Sequence, residues 1–96
     1  MNVHVTPAGK NIFEDLGFDA ETAKNLKLRA DLMIAIRQIV EDRKLKQTAA
    51  ATLFGTTQPG ISGLMRGEID EFTIDSLVNM LSHAGVDVEL RLDRTG

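Results

Sequence analysis

Polar side chains in the middle of the chain are suited to hydrogen bonding and to pairing with negative charge. Thr57, Gln58 and Ser62 lie within six consecutive residues, and a glutamine amide can donate and accept hydrogen bonds side by side. Between residues 43 and 67 every charged residue is basic. These bases are Arg43, Lys44, Lys46 and Arg66. The group could recognise a polar, anionic surface, although four bases alone describe an ordinary solvated face equally well.

The residue sets of an enzyme or a metal site are missing from the sequence. The chain has no cysteine, and no acidic cluster accompanies either of its two histidines, His4 and His83. There is no Ser/His/Asp arrangement and no glycine loop of the kind that holds phosphate. We therefore predict no enzymatic activity and no cofactor or metal. We expect His83 to lie on the surface and to complement the dipole at the end of its helix.

Two short helices must hold the polar group. Residues 47–54 and 58–66 have helical patterns, and Gly55 between them tolerates the positive φ of a tight turn. Ala51 is small where the two helices approach each other. The residues left to enter a shared core are Phe54, Ile61 and Leu64. This spacing predicts a helix-turn-helix, which presents its second helix to the DNA major groove.

The start of the second helix is the expected reading end. Thr57 is a good N-cap, and Pro59 costs little in the first turn because the backbone donors there have no helical partner. Gln58 could then pair bidentately with adenine. Gly60 and Gly63 would let the backbone approach DNA closely, and part of the specificity would come from DNA shape.

The flanking segments predict a mainly α fold with a short C-terminal β-strand. Asp19 is expected to cap a long helix over residues 20–43, and Thr73 a further helix over residues 74–84. Residues 86–93 alternate apolar and charged side chains, as a half-buried strand does. We expect residues 20–96 to form the helix-turn-helix domain and its strand.

A single strand leaves backbone groups unpaired, so the strand over residues 86–93 needs a partner. Three partners are open: a weak strand over residues 3–6, the same strand of a second copy, or an edge strand of another protein. One recognition helix reads few base pairs, so useful affinity needs a two-fold dimer on half-sites about 34 Å apart. Both considerations favour a homodimer.

Residues 1–19 form an N-terminal segment with a short strand or a single helical turn. Asn11 can cap that turn and Gly17 can end it. Four apolar residues accompany the turn, and we expect them to pack against the body of the domain, with docking of another chain as the alternative. They are Ile12, Phe13, Leu16 and Phe18.

Composition sets the class of protein. A chain of 96 residues forms one small core, and the absence of cysteine suits a reducing compartment. No apolar run has the length of a signal peptide or a membrane span. We expect a cytoplasmic protein with no membrane partner. The net charge of −3 is unusual for a DNA-binding domain, but the bases cluster on the motif itself.

The motif resembles the XRE family, the lambda-repressor-like helix-turn-helix regulators. The nearest branch contains HigA-type antitoxins, and the likeness covers roughly residues 11 to 90. The matching residues are Leu45-Lys46-Gln47, Ala50-Ala51, Leu53-Phe54-Gly55, residues 58–67, Phe72-Thr73, Leu77 and the lead-in over residues 11–18. Two departures stand at Lys46, where Thr or Ser is usual, and at Ala49, where an acid is usual, so the first motif helix loses its cap and capping box. Thr56 replaces an aliphatic residue.

The resemblance implies a lambda-repressor-like bundle that binds double-stranded DNA at an inverted repeat. Gln47 would bond a phosphate, as in the family, and the bases would add further phosphate contacts. The expected DNA-binding residues are Lys44, Lys46, Gln47, Thr56, Thr57, Gln58, Pro59, Gly60, Ser62, Gly63 and Arg66.

Three functions are consistent with these residues. The first is a sequence-specific repressor that is also the antitoxin of a type II toxin-antitoxin module, represses its own operon and neutralises a small ribonuclease toxin. The second is a protein-interaction module whose main role is holding that toxin. The third is a stand-alone regulator without a toxin.

Overall fold

The structure is a computed structural model that describes residues 2–5 and 11–90. Five α-helices and two short strands are seen in these ranges, so the predicted mainly α fold is confirmed. In chain order the elements are β1 (Asn2–Val5), α1 (Ile12–Asp15), α2 (Ala20–Asp42), α3 (Gln47–Leu53), α4 (Gln58–Met65), a 3-10 turn (Ile69–Glu71), α5 (Ile74–His83) and β2 (Asp87–Leu90).

Side-chain caps fix where the longer helices begin. Asp19 Oδ1 accepts a hydrogen bond of 2.8 Å from the Thr22 amide at the start of α2. Thr73 and Ser76 form a reciprocal capping box at the start of α5. Lys46 makes no side-chain cap bond to α3, as its departure from the family pattern predicts. The expected caps at residues 19 and 73 are confirmed.

The core lies between α2 and the helices that follow it. The apolar stripe of α2 is buried through Leu32, Ile36 and Ile39, and α5 packs against α2 with Leu77 and Leu81 fully buried. These positions recur at spacings of three and four, as on the buried face of a helix. The core thereby fixes the long helix as the support for α3 and α4.

The C-terminal strand finds its partner within the chain. β2 pairs in parallel with β1, with Val3 opposite Val88 and Val5 opposite Leu90, which is the first of the three open alternatives. One of the two arguments for a homodimer is therefore weakened, because β2 does not need a second copy to be paired. The expected burial of the strand face holds at Val86, which is 2% exposed, but not at Leu90, which is 50% exposed. Thr6 and residues 91–93 lie outside the described residues.

The N-terminal apolar residues do not pack as expected. Ile12, Leu16 and Phe18 are 61%, 68% and 46% exposed, so the prediction that they pack against the body of the domain is wrong for these three side chains. Phe13 is half-buried and contacts Phe18 edge to face, with 6.3 Å between ring centroids. The physical reason is size, because a helix of four residues offers one turn and has no second turn to lay against α2.

A buried amide attaches this segment to the domain instead. Asn11 is 7% exposed, and its Nδ2 donates a 2.8 Å bond to the carbonyl of Ala23 inside α2. Its Oδ1 accepts from the Phe13 amide at 2.9 Å and so caps α1. One polar side chain thus both starts the short helix and connects it to the long one.

Candidate nucleic-acid interface

Helices α3 and α4 pack as a helix-turn-helix. Ala51 is 6% exposed, and Phe54, Ile61 and Leu64 are almost completely buried in the common core. Gly55 has φ of +65°, the left-handed conformation that was predicted for the turn. The amide of Thr56 donates to the Ala51 carbonyl at 2.9 Å and closes the turn.

His83 supports the turn from outside, a contact that the sequence did not predict. Its ring Nδ1 lies 3.0 Å from the Leu53 carbonyl, which can only accept, so Nδ1 carries the proton in this bond. A Cβ at Gly55 would lie 2.7 Å from the His83 ring. His83 is exposed as predicted, but it bonds the end of α3. Gly55 therefore meets two requirements, the positive φ and the space for the ring.

The first turn of α4 is exposed and capped. Thr57 Oγ1 accepts a 3.1 Å bond from the Gly60 amide, so the predicted N-cap is confirmed. Gln58 and Pro59 lie in the first turn with exposed side chains. The positive end of the helix dipole and the exposed side-chain amide of Gln58 consequently lie at the same open surface.

The start of α3 adds positive charge and a second exposed amide. Lys44, Lys46 and Gln47 are exposed, and Lys44 has φ of 51°, which turns the chain between α2 and α3. Within residues 2–5 and 11–90, neither lysine is engaged in an ion pair. Their charges are therefore available to an anionic ligand.

The two glycines of α4 make room for neighbours within the protein. A Cβ at Gly60 would lie 2.8 Å from Thr56 Oγ1, and a Cβ at Gly63 would lie 2.8 Å from Glu68 Oε2. Gly63 is also buried, whereas Gly60 is half-buried. Neighbouring side chains thus occupy the space beside both glycines, through Thr56 at Gly60 and through the end of the flexible Glu68 side chain at Gly63.

Arg66 differs from the two lysines because it is already paired. Its Nε and Nη2 each lie 3.0 Å from Glu68 Oε1, and its Nη1 donates to Ser62 Oγ. The sequence placed Arg66 and Ser62 among the DNA contacts but did not predict that Glu68 would join them. Only the geometry of the chain after α4 brings the acid back to the arginine.

An open cleft of about 650 Å³ separates α4 from α5. Predicted site residues line it together with two acids and His83. The lining residues that bear on the site are Thr56, Pro59, Gly60, Gly63, Glu68, Glu71 and His83. The cleft therefore brings predicted site residues and the acids that follow α4 in the chain to one opening.

These features define the class of protein. The parts of a DNA-binding helix-turn-helix are present: two helices joined by a glycine turn, a capped and exposed start of the second helix, and exposed lysines beside the first. A profile of the family described as a helix-turn-helix domain matches residues 12–93. The protein belongs to this family.

A solved structure agrees with this assignment. The fold is similar to that of a protein provisionally described as an XRE family transcriptional regulator, with a TM-score of 0.70 and 26% sequence identity. The similarity covers 77% of this chain and 83% of that chain. No curated protein matches the sequence. Regulators of this kind are normally not enzymes, and no helix in the described ranges is long and apolar enough to cross a membrane.

Proposed function

We propose that the protein is a sequence-specific transcriptional repressor that binds an inverted repeat as a homodimer. The observation that carries the proposal is the exposed first turn of α4, where Thr57 caps the helix and Gln58 is open to a ligand. Ile61 and Leu64 anchor the opposite face of the same helix in the core. A rigid helix with a free polar start suits the major groove.

The expected contacts divide into those that read bases and those that bind phosphate. Gln58 would pair with adenine, and Thr57 and Ser62 would reach base edges or phosphate. The backbone donors near Gly60 would approach the groove. Phosphate would be bound by Lys44, Lys46, Gln47 and Arg66. Thr56 and Pro59 would shape the surface of this interface, and Gly63, which is buried, would lie beneath it.

A fluorescence-anisotropy titration tests the proposal. The protein is titrated against its own upstream promoter and against a scrambled duplex, each at two salt concentrations. We expect preference for the promoter that persists at the higher salt. Equal, salt-sensitive binding to both duplexes, or no binding, would contradict sequence-specific repression.

Two variants separate base reading from phosphate binding. Gln58→Ala should cost about 1 to 3 kcal/mol on the promoter and relax the preference, whereas Lys46→Ala should weaken both duplexes alike and reduce the salt slope by about 1. Gln38 and Lys24, both exposed on α2, provide the matched controls Gln38→Ala and Lys24→Ala. Unchanged preference in Gln58→Ala would mean that the reading face is wrongly assigned.

We propose a protein partner as the second candidate function, supported by the exposed N-terminal segment. Ile12, Leu16 and Phe18 remain open to solvent. Residues 11–23 contain four acids and no base, and these acids are exposed: Glu14, Asp15, Asp19 and Glu21. Exposed apolar residues that alternate in sequence with exposed acids suit a basic partner with an apolar groove. The small ribonuclease toxin of a HigA-type module would be such a partner.

Co-purification with the product of the neighbouring gene tests this second candidate. A stoichiometric small basic protein that is lost in Leu16→Ser would support an antitoxin. The control is Ile34→Ser, because Ile34 is also exposed, at 54%, but lies on α2. Absence of a partner from the wild-type preparation would favour a stand-alone regulator.

A further inference from the structure

The chain reverses at the end of α4 in a way that fixes the position of Glu68. Gly67 has φ of +76°, and its amide donates to the Leu64 carbonyl at 3.0 Å. The Glu68 amide donates to the Gly63 carbonyl, also at 3.0 Å. This pair of bonds is a Schellman motif, which brings the residue after the glycine against the residue three before the helix cap.

An acid and a glycine occupy the two positions that usually make an apolar contact in this motif. The Glu68 carboxylate lies over Gly63, where a Cβ would come within 2.8 Å of Oε2. The missing side chain therefore admits the carboxylate next to α4. From this position Oε1 reaches two nitrogens of the Arg66 guanidinium, each at 3.0 Å.

The ion pair with Glu68 offsets part of the positive charge of the proposed interface. Arg66 is the only base of the motif that has an acidic partner within the described residues, while Lys44 and Lys46 have none. Ser62 holds the third nitrogen of the same guanidinium. A phosphate that approaches Arg66 must therefore compete with a carboxylate of the same charge.

We infer that Glu68 is an affinity-setting residue that competes with DNA phosphate for Arg66. The inference rests on the proposed function and adds to it a residue that opposes binding. Both side chains of the pair are partly open to solvent, at 60% and 43%, so the pair can exchange with an incoming anion. Glu68 thereby lowers affinity for all duplexes alike and leaves base preference to the start of α4.

Glu68→Gln tests the inference in the full chain. The amide keeps the size of the side chain and removes its charge. We expect affinity for promoter and scrambled duplexes to rise about two- to fivefold, as expected when one exposed ion pair is lost. The slope of log K against log salt should steepen by about 0.9, because one more cation becomes available to phosphate.

A matched variant and a double mutant show whether the effect passes through Arg66. Glu71→Gln removes the same charge from an exposed acid that lines the same cleft, but Glu71 has no bond to Arg66 in the described ranges. We expect Glu71→Gln to give a smaller gain in DNA affinity, because salt screens a charge that acts only at a distance. In an Arg66→Ala background, the gain from Glu68→Gln should shrink to that of Glu71→Gln.

Each outcome of this experiment has a distinct meaning. A gain in Glu68→Gln that survives in Arg66→Ala, or that equals the gain in Glu71→Gln, would overturn the competition. Variants that bind like the wild type, while the wild type still prefers its promoter, would overturn this inference alone. A wild-type protein that binds neither duplex would overturn both this inference and the proposed repressor.

Discussion

The helix-turn-helix and the N-terminal segment have similar local elements, but their apolar side chains are buried in the first and exposed in the second. Each has a short helix with apolar residues, followed by a glycine with positive φ, Gly55 at +65° and Gly17 at +98°. Phe54 of the first is 1% exposed, whereas Leu16 of the second is 68% exposed. The difference is the surface available to each. Helix α3 packs against α4, whereas the main contact of α1 within the described residues is with α2.

The contrast teaches that apolar spacing predicts a helix better than it predicts what covers the helix. In the helix-turn-helix, apolar contacts hold the elements and polar groups face outward. In the N-terminal segment, the buried polar side chain of Asn11 holds the element and apolar groups face outward. Exposed apolar side chains of this kind mark interaction surfaces when they lie together.

Replacing one leucine by alanine in each region should give the largest difference between the regions in the loss of unfolding free energy. Leu64→Ala removes a side chain that is 2% exposed in α4 and should lower the free energy of unfolding by about 2 to 5 kcal/mol. Leu16→Ala removes the same atoms from an exposed site and should change it by less than about 0.5 kcal/mol. Urea denaturation followed by circular dichroism measures both. Equal losses would show that the N-terminal residues belong to the core after all.

The attachment of the N-terminal segment to α2 should be weakened by loss of the polar side chain of Asn11. Asn11→Ala removes the bond to the Ala23 carbonyl and the α1 cap, at a cost of about 1 to 3 kcal/mol for buried hydrogen bonds. We expect the loss to be local, with faster amide hydrogen exchange in α1 and little change in α4. Asn11→Ser is the control, because serine can keep the cap but cannot reach Ala23. Similar exchange in the alanine variant and the wild type would mean that Asn11 does not hold the segment.

Local features, such as helix caps and the turn glycine, could be predicted from the sequence. Caps at Asp19, Thr57 and Thr73 and the turn glycine Gly55 follow from side-chain chemistry within a few residues, and all four are found in the structure. The core stripe of α2 follows from its helical period. Such features depend on residues that are close in sequence, so they can be predicted without the structure.

Contacts between distant segments could not be predicted in the same way. The bond from His83 to Leu53 spans 30 residues, and the pairing of β1 with β2 was only one of three alternatives. Glu68 is near Arg66 in sequence, yet their contact depends on the reversal at Gly67. These cases need the three-dimensional path of the chain, which the pattern of residue types does not specify.

Acid pH should have the smallest effect on stability. It should act at Asp19, which caps the start of α2 just after the N-terminal segment. Hydrogen bonds from the Thr22 backbone amide, and next from its hydroxyl, lower the pKa of Asp19 from its usual value. A lowered pKa means that the folded state favours the charged carboxylate. Its stabilising contribution is therefore complete above the pKa of the unfolded chain and is lost as pH falls through the lower folded pKa.

The start of α2 should consequently loosen only in strongly acidic solution. We expect amide exchange in residues 20–23 to rise as pH falls below about 4, the ordinary range of an aspartate, once the intrinsic pH dependence of exchange has been subtracted. Asp19→Asn keeps a capping oxygen without a titrating group and should lack this rise. A variant that loosens as much as the wild type would place the acid sensitivity elsewhere. Because α1 is attached to the start of α2 through the bond from Asn11 to Ala23, α1 should lose protection from exchange. Helix α4 is anchored in the core by Leu64 and should keep its protection.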